Sequence, residues 1–511
     1  MAQEEEEVVE PQSMMTDVET TRDLEHEITT SLVFNWFIGI PVTFVSFVLI
    51  TYKISQKYAT SQFIDEVFHV PMTLQYLDGD FRTWDPKVTT PPGLYYIGWL
   101  WSRMLQITRI SKFVDVRSLT TLRMVNTVGG ALVLPVSLSW LFILNPIGFW
   151  PASLALFPVL SNFYYLYYTD VWSTVFVASS LSFALGLPYG DKRSVWISAF
   201  LGGVSVWLRQ TNIIWNLFVL VLVIERRAMI HKNFTDSFLN NCIKWIIQFV
   251  EDFYDFALPF VLNFVLFFIF LVVNRGITLG DKENHGVGLH LVQIFYCFTF
   301  LVVFTWPIWL SYDIMVDYFQ RYKEGPVFII LEMILIMIVI RFFTVVHPFL
   351  LADNRHYTFY IFKNIINRFK YSKYLIAPVY HFAFYVVTNL LSANAFYFDS
   401  VHELPFKVAR DLPLKPTGIS ILAFLGCTTL TIAPSPLFEP RYYIIPFVLF
   451  RLLIATSYES FLPNGSLKGI ILKRLGLEFV WNVVVNLLLI FIFCSYEFKW
   501  DNDESIQRII W

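Results

Sequence analysis

Charge is scarce in this chain. Asp, Glu, Lys and Arg make up 15% of its 511 residues, where a soluble protein carries about 25%. That shortage argues against a polar exterior. Cysteine is rarer still: Cys242, Cys297, Cys427 and Cys494 lie far apart and mostly inside apolar runs, a pattern that excludes a disulfide framework and offers no zinc-ligand spacing. No basic segment precedes an apolar core after Met1, so a cleavable signal peptide is not expected and the first apolar run should be retained. No dense basic stripe stands outside the apolar segments, which excludes nucleic acid as a partner. The sequence shows neither an internal repeat nor a sustained heptad.

What it has in excess is apolar and aromatic surface. Hydrophobic residues reach 56%, including 52 Phe, 26 Tyr and 16 Trp. Ten of the 40 acids fall between Glu4 and Glu27 against one base, Arg22. The net charge of −3 therefore averages an acidic tail, 1–32, and a mildly basic body, 33–511.

A hydrocarbon layer of about 30 Å needs about 20 apolar helical residues. Runs near that length begin at Val33–Tyr52 and continue at 92–107, 125–144, 148–168, 171–188, 195–224, 256–273, 289–311, 328–351, 375–394, 418–433, 441–457 and 479–496. The expected fold is all-α and polytopic, with about 12–14 transmembrane helices. The 195–224 run is long enough to contain a break near Arg209. Basic loops at Arg109–Arg123, Arg226–Lys244, Arg321–Lys323, Lys407–Lys415 and Lys468–Arg474 set the orientation, with the N terminus cytoplasmic. Segments 54–91, 274–288, 352–374 and 434–440 then share the opposite face. The 225–255 stretch reads as an interfacial amphipathic helix. Sequons at Asn233 and Asn464 fall on expected cytoplasmic loops and should stay unmodified.

The 54–91 loop holds the densest mixture of acids, aromatics and prolines. In a helix over 62–77, Asp65 and His69 share a face while Glu66 points about 100° away. A carboxylate at the membrane edge can take a proton from a sugar hydroxyl attacking an activated anomeric carbon; it can equally cap a helix or pair with a loop lysine. Further along, Trp84, Asp85, Thr89 and Thr90 precede Pro91-Pro92. The threonines can cap the next helix, the preferred reading, or donate to a sugar. Asp281, Lys282 and His285, followed by His290, could hold sugar or phosphate, though their spacing is weak for a metal. Asp353, Arg355, His356, Tyr360 and Lys363 suit an anion at the boundary, as does Arg441 beside Glu439. Aromatic and basic anchoring would produce a similar composition. Asp170 and Arg209 interrupt apolar segments and should face the bundle or a cavity.

Taken in order, Phe63-Ile64-Asp65-Glu66-Val67-Phe68-His69, Trp84-Asp85-Pro86-Lys87 through Tyr95, Gly280-Asp281-Lys282-Glu283-Asn284-His285, Asp353-Asn354-Arg355-His356-Tyr357 through Tyr360, and Glu439-Pro440-Arg441-Tyr442 resemble the eukaryotic ALG10 family. These are dolichyl-phosphoglucose α-1,2-glucosyltransferases of the endoplasmic reticulum. The resemblance covers nearly the whole chain after residue 33; the acidic tail is the main departure. It implies a GT-C membrane glycosyltransferase fold and inverting transfer of the terminal glucose of the N-glycan precursor. The donor would be dolichyl-phosphate glucose, the acceptor Glc2Man9GlcNAc2-diphosphodolichol, and the site would lie at the lumenal face of the endoplasmic reticulum membrane.

The same resemblance places the base at Asp65 or Glu66 and ranks Arg355, His356, Tyr360, Lys363 and Arg441 as phosphate ligands. His69, Trp84, Asp85, Thr89, Thr90, Asp281, Lys282, His285 and Asp353 would shape the site. No cofactor and no metal ion is expected. Two other classes fit a polytopic chain: a lipid or sugar transporter using Asp170 and Arg209, and a noncatalytic membrane assembly factor.

Overall fold

The computed structural model describes residues 33–141, 150–186, 192–282 apart from 233 and 236, 286, 288–393, 416–454, 465–500 and 503–511. The acidic tail, both sequon asparagines, His285 and the 407–415 basic loop lie outside them. Among the described residues the fold is a bundle of helices with one small β-hairpin, Phe498–Trp500 against Asp503–Gln507. Among the described residues, six helices are long and apolar enough to cross a membrane: Asn35–Tyr58, Leu119–Ser139, Phe253–Asn274, Pro326–Phe343, Ser372–Ser392 and Lys473–Ser495. Thr169–Leu185, Val292–Phe304 and Gly418–Ile432 are shorter apolar helices. Leu119–Ser139 sits centrally, with 61% of its apolar window buried, whereas Pro326–Phe343 has 17% buried and turns Phe328, Leu331 and Leu335 outward. An outward apolar face of this kind suits lipid rather than water.

Two expected spans are not single crossings. The run at 92–107 forms the Gly93–Ile107 helix, which leaves and returns to one end of the bundle. At its start Gly93 N–H donates to Trp207 O at 2.8 Å, and beyond its end Arg117 pairs with Asp78 and Arg123 with Glu66. The 109–123 bases therefore stand on the Asp65 side rather than across the membrane from it. Arg117 and Arg123 are held there by carboxylates instead of being left to follow the charge rule. Conversely, 195–224 divides into Lys192–Val206 and Asn212–Lys232, which fold back on each other. Asn212 Nδ2 reaches Ser205 O at 2.8 Å and Asn216 Nδ2 reaches Gly202 O at 2.9 Å, with Arg209 at the hairpin tip. One crossing is lost and one gained, so loops after residue 225 keep their expected side while 168–170 changes to the Asp65 side.

The 148–168 run is broken as well. Pro158 follows the short Trp150–Ala155 helix and starts another turn, Pro158–Ser161, after which the chain runs irregularly to Tyr168. Irregular backbone inside a membrane bundle needs internal partners. Asn126 Nδ2 supplies two, donating to Leu166 O and Tyr168 O at 2.8 Å each, and Thr127 Oγ1 donates to Tyr164 O at 2.8 Å. Gly130 makes room for the Tyr164 ring; a Cβ there would lie 1.9 Å from it. The Phe238–Glu251 helix exposes Leu239, Ile243, Ile246 and Val250 along one side, as an interfacial helix would.

Beyond Ser495 the chain returns to the same end. Buried Arg508 donates to Phe493 O and Cys494 O at 2.7 and 3.0 Å and to Tyr58 O at 2.8 Å. A cation on the last carbonyls of a helix complements its dipole. Ile510 then pairs in parallel with His356.

Candidate active site

The loops that the sequence puts on one face meet around a cavity of about 920 Å³. Asp65 enters it from the turn before the Glu66–Leu77 helix. That helix starts later than expected because Ile64 has a φ of +50°, a strained conformation for a β-branched residue, costing on the order of 1–3 kcal/mol. Tyr168 spans the turn: its hydroxyl accepts from Asp65 N–H at 3.2 Å and donates to Phe63 O at 3.3 Å. The strain is thereby held where it aims the Asp65 side chain.

The two adjacent carboxylates have opposite environments. Asp65 is 29% exposed, opening into the cavity; the Glu66 side chain is 0% exposed. Arg123 grips Glu66 through Nε at 2.8 Å and Nη2 at 2.6 Å, while the Phe63 and Tyr167 amides donate to the same carboxylate at 2.9 and 2.8 Å. Arg123 also donates to Ala59 O and Ser61 O, at 2.6 and 3.1 Å. Glu66 therefore has no lone pair left for a substrate and ties down both sides of the Asp65 turn. Of the two candidate bases, Glu66 is thus the one whose oxygens are engaged by the protein itself.

Arg441 Nη1 reaches Asp65 Oδ2 at 2.6 Å, and its Nε pairs with Glu439. Burial by itself would raise the Asp65 carboxyl, but Arg441 and His69 outweigh it and hold the group down at about 2. Burial also lowers His69, whose Nδ1 lies 3.0 Å from the Tyr95 hydroxyl. Since the Asp65 carboxyl is depressed, its pairing contributes stability that is complete above the unfolded value of 3.8 and is lost as pH falls through about 2.

Arg355 binds Asp353 in a fork, 2.9 Å from Nε to Oδ1 and 2.7 Å from Nη2 to Oδ2. Gln507 and the Trp500 ring complete its surroundings at 3.2 and 4.4 Å. His356 lies 3.7 Å from Asp353 and 3.3 Å from Trp511 O. Thr89, Thr90, Asp281 and His69 also line the cavity. Neither threonine caps the following helix, whose N-cap is Pro92.

Several sequence candidates lie elsewhere. Tyr360 and Lys363 are not on the cavity wall; Lys363 sits over the Phe359 ring. Lys282 is drawn away to Asn274 O at 2.5 Å. Trp84 supports the loop from behind by donating to Val88 O at 3.3 Å, and Asp85 accepts from Lys87 N–H at 2.9 Å. Among the described residues, no three His, Cys, Asp or Glu side chains gather as a metal site. Trp500, Trp511, Phe163 and Tyr168 line the wall with no sequence signal to mark them, and Arg209 lines it as a charge expected to face the bundle or a cavity. Arg209 pairs there with Asp170.

The profile of the DIE2/ALG10 family matches residues 59–452. The chain belongs to this family. A relative in Kluyveromyces lactis is 44% identical over 97% of this chain and 92% of its own length. One in Candida glabrata is 46% identical over 96% of this chain and 95% of its own. A human relative is 31% identical over 88% and 93%. All three bear the name Dol-P-Glc:Glc(2)Man(9)GlcNAc(2)-PP-Dol alpha-1,2-glucosyltransferase. Among solved structures, the archaeal oligosaccharyltransferase AglB of Archaeoglobus fulgidus aligns with 88% of this chain and 56% of its own at 13% identity, with a TM-score of 0.39, too low to carry an argument about the site. The family match covers every element of the cavity except the Trp500–Trp511 wall.

Proposed function

We propose that this DIE2/ALG10 family member transfers glucose from dolichyl-phosphate glucose to Glc2Man9GlcNAc2-diphosphodolichol, forming an α-1,2 linkage. The full-length likeness to relatives of that name carries the reading. The cavity supplies chemistry that fits it: an ionised carboxylate facing a set of cations at one end of an apolar bundle. Dolichyl tails can stay in hydrocarbon while their phosphates and sugars meet at this end. We place that end at the lumenal face of the endoplasmic reticulum membrane and assign the chain to the GT-C glycosyltransferase fold.

Asp65 acts as the base. The acceptor hydroxyl oxygen attacks C1 of the glucose, its proton passes to an Asp65 carboxylate oxygen, and the C1–O bond breaks with its electron pair going to the dolichyl phosphate. An in-line displacement of this kind inverts C1 and needs no glycosyl-enzyme intermediate. A carboxylate at about 2 is a weak base. When Arg441 turns toward the departing phosphate, burial is left to act on Asp65 and its basicity rises. Arg441, Arg355 and His356 stabilise the negative charge that grows on that phosphate. Such fixed groups replace a divalent ion, so catalysis is metal-independent.

The purified chain, given defined donor and acceptor, should add one glucose to the acceptor at the same rate in excess chelator. Donor left intact, or a strict and reversible Mg²⁺ or Mn²⁺ requirement, would contradict this reading. Arg441→Gln leaves Asp65 with burial and a weaker opposing charge. Its residual kcat/KM should lose activity on the acid side at a higher pH than wild type, and coincident acid limbs would remove Arg441 from control of the base.

A further inference from the structure

Three of the four Lys and Arg residues on the cavity wall already carry a carboxylate. Arg441 holds Asp65 and Glu439, Arg355 holds Asp353, and Arg209 holds Asp170. The fourth, Lys87, makes no ion pair or side-chain hydrogen bond among the described residues. The wall also bears four acids, Asp65, Asp281, Asp353 and Glu439, so cationic and anionic side chains balance. An arriving phosphate can recruit Arg441 or Arg355 only by loosening a carboxylate. Lys87 surrenders nothing.

Its ammonium is free while its backbone is pinned. Lys87 N–H donates to Asp85 Oδ1 at 2.9 Å, and Val88 N–H to Asp85 O at 3.0 Å. From the facing loop, Asp281 N–H donates to Pro86 O at 2.9 Å and Leu279 N–H to Thr89 O at 3.3 Å. Gln210 adds a bond to Thr89 O at 2.7 Å from the hairpin tip. Gly280 permits this docking, since a Cβ there would stand 2.2 Å from Pro86 O and 2.6 Å from Val88 O. Lys87 is itself exposed, and an exposed lysine with no ligand to meet needs no such frame. One that must present its charge at a fixed place does, because the cost of ordering the backbone is then met before the ligand arrives.

We propose that Lys87 is the residue that first engages the phosphate of the lipid-linked donor and stays on it as the glucosyl bond breaks. The assignment rests on the glucosyl transfer proposed above. A lysine suits the task as a compact point charge with three donors.

The test uses full-length protein with Lys87→Met and Lys87→Arg, at matched folded amount. Dolichyl-phosphate glucose and acceptor are varied separately, and binding of dolichyl phosphate itself is measured. A hydrogen bond between charged partners is worth on the order of a tenfold to hundredfold change in affinity. Lys87→Met should raise the donor KM and weaken dolichyl-phosphate binding by that factor, leave the acceptor KM unchanged, and be largely restored by Lys87→Arg. Wild-type donor KM and dolichyl-phosphate affinity in Lys87→Met would overturn the assignment, as would a change confined to the acceptor KM. If wild type transfers no glucose, yet Lys87→Met still loses dolichyl-phosphate affinity, the proposed reaction falls and the phosphate contact stands.

Discussion

Asp65→Asn should lower glucose transfer by about 10²–10⁴-fold, the usual contribution of a positioned general base, with little effect on folding. Asn has the same size, Arg441 keeps Glu439 as a partner, and the Tyr168 bridge to the Asp65 turn uses only backbone atoms of residues 63 and 65. Turnover is to be compared at equal folded amount with saturating donor and acceptor. Near-normal turnover would reject Asp65 as the base. The two neighbouring carboxylates make this a sharp comparison, because the adjacent one is expected to fail in the opposite way.

Glu66→Ala should destabilise the protein by about 3–5 kcal/mol, since it leaves the Arg123 guanidinium buried without its counter-charge. That is a large part of the 5–15 kcal/mol by which typical domains are stable, so the yield of folded protein should collapse. Glu66→Gln keeps an acceptor and removes the charge; it should unfold at a lower temperature yet retain kcat within about tenfold in the folded fraction, because Glu66 does not reach the cavity. Wild-type thermal stability in Glu66→Gln with kcat as low as in Asp65→Asn would return the catalytic role to Glu66. The distinction has a structural basis in exposure: one carboxylate opens into the cavity and its neighbour has all of its lone pairs engaged.

Much of this arrangement is legible in the sequence because polar residues in an apolar chain are conspicuous. Segments 54–91, 274–288, 352–374 and 434–440 each contribute to one cavity wall, as their shared side requires. Asp170 and Arg209 meet, as charges in apolar segments must. The rest is hidden for identifiable reasons. The 92–107 run has the composition of a span, and only the contacts of Arg117 with Asp78 and Arg123 with Glu66 reveal that it returns to its starting end. The 148–168 run reads as one span, although Asn126 and Thr127, from a distant helix, satisfy an irregular backbone at its end. What sets the surroundings of Glu66 apart from those of Asp65 is Arg123, 57 positions away from Glu66. Trp500 and Trp511 have no periodic pattern to announce them, since a short hairpin and the Arg508 anchor bring them to the wall.

Stereochemistry offers the most direct measurement of the one-step transfer driven by Asp65. Wild-type protein should be supplied with β-linked dolichyl-phosphate glucose labelled at C1, and the new anomeric carbon of the product read by NMR. Inversion to an α-linked glucose is the expected result. A β-linked product, or a covalent glucosyl-protein adduct trapped during turnover, would contradict direct attack by the acceptor hydroxyl.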